Sequence, residues 1–191
     1  KEIRNELNKN YGIFWLNNEL TLESHKSTKE RLKIYEGIYK KIFSITGKPK
    51  SILDISSGLN PLSYKYMDKD TEFIATELTK KDCEELRKYF KQNNIKGKVL
   101  QINLLEKNNF PKTDICFLFK ILDLMPKKKA EEIIKAIDSN YIIASFSLID
   151  THGRRMNYPL QGWFQRMLKR LNLKYELIKE ENEIFYVIKK D

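Results

Sequence analysis

Short apolar runs alternate along this chain with longer stretches in which apolar residues recur at helical spacing. Five runs are rich in branched side chains, as strands buried on both faces of a parallel sheet require. They span residues 52–55, 72–77, 98–102, 114–119 and 141–146. Helical spacing is present at 79–93, 127–137 and 161–171. Two further runs, 173–178 and 184–188, flank a polar turn and predict a hairpin.

This alternation predicts an α/β fold of the Rossmann-like kind. Strands joined by helices form a mostly parallel sheet with helices on both faces, and the terminal hairpin adds antiparallel strands to give seven in all. At 191 residues the chain is long enough for one such domain, which we place at 47–191. A short helical region at 1–46 precedes it.

The first strand runs directly into a turn with the features of a ligand-binding loop. Asp54 lies within the apolar run, where an unpaired carboxylate is costly to bury. Gly58 permits a tight turn, and Asn60 and Pro61 are typical of the N-cap and first residue of a helix. Such a turn presents backbone N–H groups at the carboxyl edge of the sheet. A single glycine is neither a dinucleotide fingerprint nor a P-loop, so an ordinary strand–helix turn remains the alternative.

The second strand ends in an acid. Glu77 follows Asp54 by roughly the 20 residues at which a carboxylate meets ribose hydroxyls in nucleoside-binding folds. Thr79 and Asp82 then form a capping-box pattern that opens a helix. A surface acid after a strand is common, so the spacing supports a nucleoside site without proving it.

A second capping-box pattern, formed by Ser27 and Glu30, predicts a helix start near the N-terminal end. Arg31 lies one turn into this helix. A guanidinium at that position is suited to hold a carboxylate through two parallel hydrogen bonds.

The net charge of +10 and a pI near 9.4 indicate a polyanionic partner. A generally lysine-rich surface is the alternative, but two clusters are more specific. One is the lysines of residues 26–41, and the other consists of Arg154, Arg155, Arg166, Lys169 and Arg170. Cys83 and Cys116 are isolated and read as reduced thiols. No membrane span or signal peptide is visible, so we expect a cytoplasmic protein. The two histidines, His25 and His152, are too few for a convincing metal site. We also expect the protein to be a monomer. Because residue 1 is lysine, we expect the natural chain to begin upstream.

Four segments together resemble the 16S rRNA (guanine-N7) methyltransferases that give aminoglycoside resistance. They are HKSTKERL (25–32), ILDISSGLNPL (52–62), DICFLFKILDLM (114–125) and SFSLIDTHGRRMNYPLQGWFQ (145–165). This chain looks like a shortened homologue, because the family has a longer N-terminal helical region. It also has Glu77 and Asn103 where the family pattern has aspartates. The resemblance implies the class I S-adenosylmethionine-dependent methyltransferase fold and small-subunit rRNA as the partner.

The resemblance also implies roles for individual residues. The cofactor S-adenosyl-L-methionine is expected to contact His25, Lys26, Ser27, Arg31, Ser56, Gly58, Glu77, Asn103, Leu104 and Phe119. RNA near the target base is expected to contact Arg154, Arg155, Met156 and Trp163. The region 1–46 is expected to dock RNA and to cover the cofactor. Leu104 and Phe119 are equally compatible with a purely structural place in the core, and the arginines with a solvated loop.

Methylation of guanine N7 needs no general base, because N7 carries an in-plane lone pair and no proton. We therefore assign no catalytic residue. The expected function is methyl transfer to guanine N7 of 16S rRNA near the decoding site. Methylation of another RNA, such as tRNA or a different rRNA base, stays open, as does a non-catalytic RNA-binding role. Amino methylation is disfavoured, because Phe119, Lys120 and Ile121 replace the Pro-Pro motif that follows the fourth strand in such enzymes.

Overall fold

The structure is a computed structural model that describes residues 26–106, 109–149, 154–155 and 161–190, with only the backbone of Lys26 and Ser27. The strands are β1 (Ser51–Asp54), β2 (Glu72–Glu77), β3 (Gly97–Gln101), β4 (Thr113–Phe119), β5 (Ser139–Ser147), β6 (Lys174–Lys179) and β7 (Glu183–Lys189). The helices are α1 (Lys26–Arg31), α2 (Tyr35–Thr46), α3 (Lys80–Gln92), α4 (Lys127–Ala136) and α5 (Gly162–Arg170). Two 3₁₀ helices span Asn60–Tyr66 and Leu122–Leu124.

All seven strands form one sheet in the order β3-β2-β1-β4-β5-β7-β6. Strands β1 to β5 pair in parallel, whereas β7 lies antiparallel between β5 and β6. The predicted mostly parallel sheet with a C-terminal antiparallel hairpin is confirmed. The strand order reverses between β1 and β4, and the crevice beyond their carboxyl ends is where open α/β sheets bind ligands.

The core has two layers, one on each face of the sheet. Along β4, Ile115 and Phe117 belong to one apolar cluster, and Cys116 and Leu118 to the other. This alternation follows from the two-residue period of a strand and explains why the sequence of β4 is apolar throughout. Helices α2 and α3 cover the first cluster, and α4 and α5 cover the second.

Local capping signals have mixed outcomes. At α3, Thr79 Oγ1 accepts from Asp82 N (3.1 Å) and donates to Asp82 Oδ2 (2.6 Å), so this prediction is confirmed. The helix start predicted near Ser27 is confirmed within one residue, because α1 begins at Lys26. The capping role is wrong: Ser27 lies inside α1, and the Glu30 carboxylate pairs with Lys120, the residue that follows β4.

The prediction of Asn60 as a helix N-cap is also wrong. The 3₁₀ helix that contains Asn60 has Leu59 at its cap position, and no side chain caps it. The Asn60 side chain turns inward instead, where its amide donates to Asp54 Oδ2 at 2.8 Å. The cost of burying the Asp54 carboxylate without a partner outweighs the modest gain from capping a short helix.

Helix α2 ends at Thr46, the predicted end of the N-terminal region, yet Tyr35, Ile38, Tyr39 and Ile42 pack into the same cluster as the sheet. The division at residue 46 stays a prediction. None of the helices in the described part of the chain combines the length and hydropathy that crossing a bilayer requires.

Candidate functional site

The turn after β1 is folded tightly against the end of β2. Ser56 has φ 51° and Gly58 has φ 54°, so two of its residues adopt the left-handed conformation that only glycine adopts without strain. Ser56 N donates to Thr76 Oγ1, and Ser57 N donates to Thr76 O, both at 3.0 Å. These bonds hold the turn at the carboxyl edge of the sheet, beside the switch between β1 and β4.

Glu77 joins this turn to the end of β2. Its carboxylate is almost fully buried, and Oε1 accepts a 2.5 Å hydrogen bond from Gly58 N and a longer one, 3.5 Å, from Ser57 Oγ. The structure thus brings together three residues that we predict to contact the cofactor: Ser56, Gly58 and Glu77. Their roles as ligand contacts stay predictions.

Asn103 and Leu104 lie at the same edge, after β3. Asn103 Nδ2 donates to Glu106 Oε1 (2.8 Å), and Asn103 Oδ1 accepts from Leu105 N (3.1 Å), so this side chain shapes its own turn. Leu104 is buried in the cluster under α4 and α5. Its packing accounts for its apolar character without a ligand.

Two exposed leucines were not singled out from the sequence as candidate ligand contacts. Leu78 directly follows Glu77, the last residue of β2, and is 45% exposed. Leu105 lies in the turn after β3 and is 71% exposed. Large apolar side chains at the mouth of a crevice are a feature of ligand pockets. An apolar residue directly after the acid that ends β2 is a signal that would have found Leu78, whereas Leu105 lies four residues beyond the end of β3 and has no such signal.

Arg31 makes a buried, two-pronged ion pair with Glu183 at the beginning of β7. Arg31 Nε lies 2.9 Å from Oε2, and Nη2 lies 2.9 Å from Oε1. Burial opposes the charge on both groups, but their mutual attraction outweighs it: the pKa of Arg31 is raised and the pKa of Glu183 is lowered. The guanidinium fork is therefore already filled, and its predicted contact with a cofactor carboxylate stays a prediction.

Lys120 extends this pair into a four-residue cluster. Its Nζ lies 2.7 Å from Glu30 Oε2 and 3.4 Å from Glu183 Oε2. Lys120 has φ 55°, so the chain leaves β4 in a strained conformation at the same edge of the sheet. The cluster, Glu30, Arg31, Lys120 and Glu183, connects α1 to the ends of two strands.

Phe119, predicted to close the cofactor pocket, lies beneath this cluster. The Arg31 guanidinium carbon is 4.8 Å from the ring centroid, and the ring stacks on Phe117 with centroids 4.6 Å apart. Phe119 is half-buried. Its face toward Arg31 is occupied by a cation–π contact.

A second polar network lies beneath the turn. Tyr35 OH donates to Asn60 Oδ1 (3.0 Å), and Asn60 donates in turn to Asp54. Burial raises the pKa of Asp54 to about 7, although the bond from Asn60 and the charge of Arg31 pull it down. Helix α2 is thereby hydrogen-bonded to the turn that Glu77 supports.

The predicted RNA-contacting residues are only partly described. Arg154 and Arg155 are exposed, and Arg155 forms an isolated antiparallel bridge with Ile149. Trp163 is half-buried and packs edge-on against Phe146 and Phe164, at 6.1 and 5.5 Å between centroids. His25, Met156 and the side chains of Lys26 and Ser27 lie outside the described residues.

Neither cysteine nor acid chemistry indicates a metal. Cys83 and Cys116 are buried, free thiols whose pKa values are raised by burial. No group of three potential metal-binding side chains occurs in the ranges that the structure describes.

The strand order, with its antiparallel β7 and a single-glycine turn at the switch point, defines the class I methyltransferase fold. The solved 16S rRNA methylase ArmA superposes with a TM-score of 0.75 at 23% identity, covering 98% of this chain and 97% of its own. The 16S rRNA methylase RmtB gives a TM-score of 0.76 at 22% identity, covering 89% of this chain and 67% of its own. The predicted fold is confirmed.

The chain belongs to the ribosomal RNA methyltransferase (FmrO) family, whose model matches residues 17–187. It is 25% identical over 179 residues to the 16S rRNA (guanine(1405)-N(7))-methyltransferase of Proteus mirabilis. It is 24% identical over 174 residues to the enzyme of the same name from Micromonospora echinospora. Each match covers 87% of this chain and 63% of the relative, so the chain spans less than two thirds of their length. The predicted family resemblance is confirmed.

Proposed function

We propose that this protein transfers a methyl group from S-adenosyl-L-methionine to guanine N7 in 16S rRNA of the small ribosomal subunit, near the decoding site. One observation carries the proposal. In a chain of the rRNA methyltransferase family, the turn of Gly58, the carboxylate of Glu77 and the exposed side chains of Leu78 and Leu105 all belong to one edge of the sheet. Its net charge of +10 suits an RNA partner.

The chemistry of these residues fits such a cofactor. Glu77 offers carboxylate oxygens to ribose hydroxyls, and the two leucines offer apolar surface to a flat adenine ring. The left-handed turn at Ser56 and Gly58 allows the close approach of a ligand to the backbone. When bound, the cofactor supplies an electrophilic methyl group on a sulfonium sulfur.

The residues of the chain then have to position the base. Guanine N7 attacks through its lone pair, so no side chain has to remove a proton. The protein's contribution is to hold N7 about 3 Å from the methyl carbon, in line with the departing sulfur. Asp54 is paired with Asn60 inside the core and is not needed as a base.

A guanine inside structured RNA is stacked, and its N7 reaches a pocket only if the base is extruded, at a cost of a few kcal/mol. We assign the contacts that offset this cost to Arg154 and Arg155 on the phosphates and to Met156 and Trp163 beside the base. The exposure of both arginines supports this assignment. We further propose that the protein acts as a monomer in the cytoplasm, where small subunits are found.

The test is incubation with labelled cofactor and three substrates: isolated small subunits, free 16S rRNA and tRNA. Label is expected in 16S rRNA, and label in tRNA alone would favour the alternative of another RNA target. Glu77→Ala should weaken cofactor binding in calorimetry by about 1–3 kcal/mol. Glu72→Ala, at the opposite end of β2, is the matched control and should bind normally. Normal affinity in Glu77→Ala would remove Glu77 from the site.

A further inference from the structure

A groove of about 750 Å³ lies between α5 and β6. Its lining includes three cations, Arg166 and Lys169 on α5 and Lys174 at the beginning of β6. Asn172 and Tyr175 complete the wall between them. The described lining contains no acidic residue.

The three groove cations differ in their pairing from many other charged side chains on the surface. On the neighbouring helix, Glu131 pairs with both Lys135 and Arg170. Lysines elsewhere pair within their helices, as Lys40 does with Glu36. Within the described residues, by contrast, the three groove cations form no ion pair. A cluster of like charges repels itself, and its concentration along one groove favours a polyanionic ligand.

The side chains are arranged along the groove rather than around a point. Arg166 and Lys169 are three residues apart, so they lie on one face of α5. The Arg166 guanidinium folds back over the beginning of the helix, where a Cβ on Gly162 would lie 3.3 Å from Nη1. Glycine at this position therefore leaves room for the Arg166 guanidinium at the end of the groove where α5 begins.

In the sequence, the helix that lines the groove follows the segment that carries the predicted RNA contacts. Helix α5 begins a few residues after Arg154 and Arg155, and Gly162 is both its first residue and part of the groove lining. Its nine residues span about 13 Å, enough to run beside several nucleotides of one strand. A strand whose base occupies the crevice can follow this path.

We propose that the groove between α5 and β6 binds the sugar–phosphate backbone of the RNA substrate next to the target guanine. This inference rests on the proposed function, in that the substrate is an RNA. Arg166 suits two-pronged contact with one phosphate, and Lys169 and Lys174 serve as point charges for its neighbours. The contacts position the RNA and carry no sequence information.

The first test compares two triple variants with the same loss of charge. The groove variant is Arg166→Gln, Lys169→Gln and Lys174→Gln. The control, Lys69→Gln, Lys91→Gln and Lys98→Gln, removes three exposed lysines from the part of the molecule around β3, at the opposite edge of the sheet. Binding to small subunits is measured over a range of salt concentrations, with cofactor affinity and thermal unfolding as checks on the fold.

The groove variant should lower the slope of log affinity against log salt by about 2 to 3, because each phosphate contact contributes close to one unit. Its kcat/KM should fall while cofactor affinity stays normal, and the control variant should keep most of the wild-type slope. Equal losses in both variants, or wild-type binding by the groove variant, would overturn the proposal while leaving the proposed function intact. Failure of the wild-type protein to bind or methylate rRNA would overturn both.

A second test needs no substitution. Lysine acetylation rates in the wild-type protein are measured by mass spectrometry with and without small subunits. Lys169 and Lys174 should become protected, whereas Lys91 and Lys98 should remain reactive. Unchanged reactivity of the two groove lysines in a complex that methylates its RNA would show that the groove faces solvent.

Discussion

The ion pair between Arg31 and Glu183 shows how single residues fix the geometry near the crevice. Both side chains are only 3% exposed, and three hydrogen-bond contacts join them. Such a pair adds little net stability compared with an apolar replacement, but removing one partner leaves a buried charge without compensation. The pair matters here through its position, because it holds α1 against the beginning of β7.

Glu183→Ala should therefore lower the free energy of unfolding by about 3–5 kcal/mol, since Arg31 stays buried and unpaired. Urea denaturation measures this change. Glu180→Ala is the control in the same hairpin: it removes an ion pair with the half-exposed Lys41 and should cost about 0–1 kcal/mol. Equal effects of the two substitutions would show that the Arg31–Glu183 pair is solvated in solution.

Asp54 should make stability fall as pH rises. Burial raises its pKa to about 7 in the folded protein, whereas an unfolded carboxyl has a pKa of about 3.9. Between these values the folded state keeps a proton that the unfolded state has released, so the free energy of unfolding decreases by up to about 1.4 kcal/mol per pH unit. Below this pH range Asp54 is protonated in both states, and above it Asp54 is ionised in both, so its effect on stability no longer changes with pH.

Asp54→Asn removes this titration and should flatten the profile between about pH 4 and 7. The measurement is urea unfolding of wild type and variant at half-unit steps of pH. The difference between the two curves isolates Asp54 from carboxyls with lowered pKa, such as Glu183, which act in the opposite sense. Parallel curves would mean that Asp54 is already ionised in the folded protein at acidic pH.

At the scale of elements, the central strands were predictable because they are buried on both faces and are therefore rich in apolar residues, as β4 is. The edge strands β3 and β6 are largely exposed, and only their few apolar positions indicated them. The cap of α3 was predictable because Thr79 and Asp82 are local partners. The pairing of Arg31 with Glu183 was not predictable, because 152 positions separate them and only the folded structure brings them together. The inward turn of Asn60 was missed for a different reason: its partner Asp54 is only six positions away, but the burial of that carboxylate, which decides the contact, is a property of the folded core.

The segment between β5 and α5 is the element to which we assign contact with the RNA. Arg154→Glu with Arg155→Glu should reduce methyl transfer about 100-fold or more, because repulsion by phosphates displaces the base from its reactive position. Cofactor affinity should be unchanged, since these arginines lie outside the turns around Gly58 and Glu77. Single-turnover transfer and calorimetry measure the two quantities.

The control variant is Lys48→Glu with Lys50→Glu, which reverses the same number of positive charges. Both lysines are exposed and lie just before β1, at the amino edge of the sheet. This pair of substitutions should leave the transfer rate close to that of wild type. A wild-type rate in the arginine variant would show that its loop is only a connection and would move the RNA site to the N-terminal face.

At the scale of the whole molecule, the alternation of strands and helices was enough to predict the sheet, and four motifs were enough to indicate the family. The roles of the ten predicted cofactor residues were not settled in this way. Leu104 is buried in the core and Phe119 is half-buried against it, and an apolar residue near a strand end can serve the core or a ligand. Sequence reasoning also missed Leu78 and Leu105, because exposure is a property of the folded surface.

The central claim is that guanine N7 is the atom that receives the methyl group. Methylation at N7 leaves a positively charged base, which reduction followed by aniline treatment converts into a strand break. Small subunits treated with the protein and S-adenosyl-L-methionine should yield 16S rRNA that breaks at one guanine near the decoding site, with no break when cofactor is omitted. Incorporation of labelled methyl into 16S rRNA without any such break would contradict the claim and assign the reaction to a different atom or base.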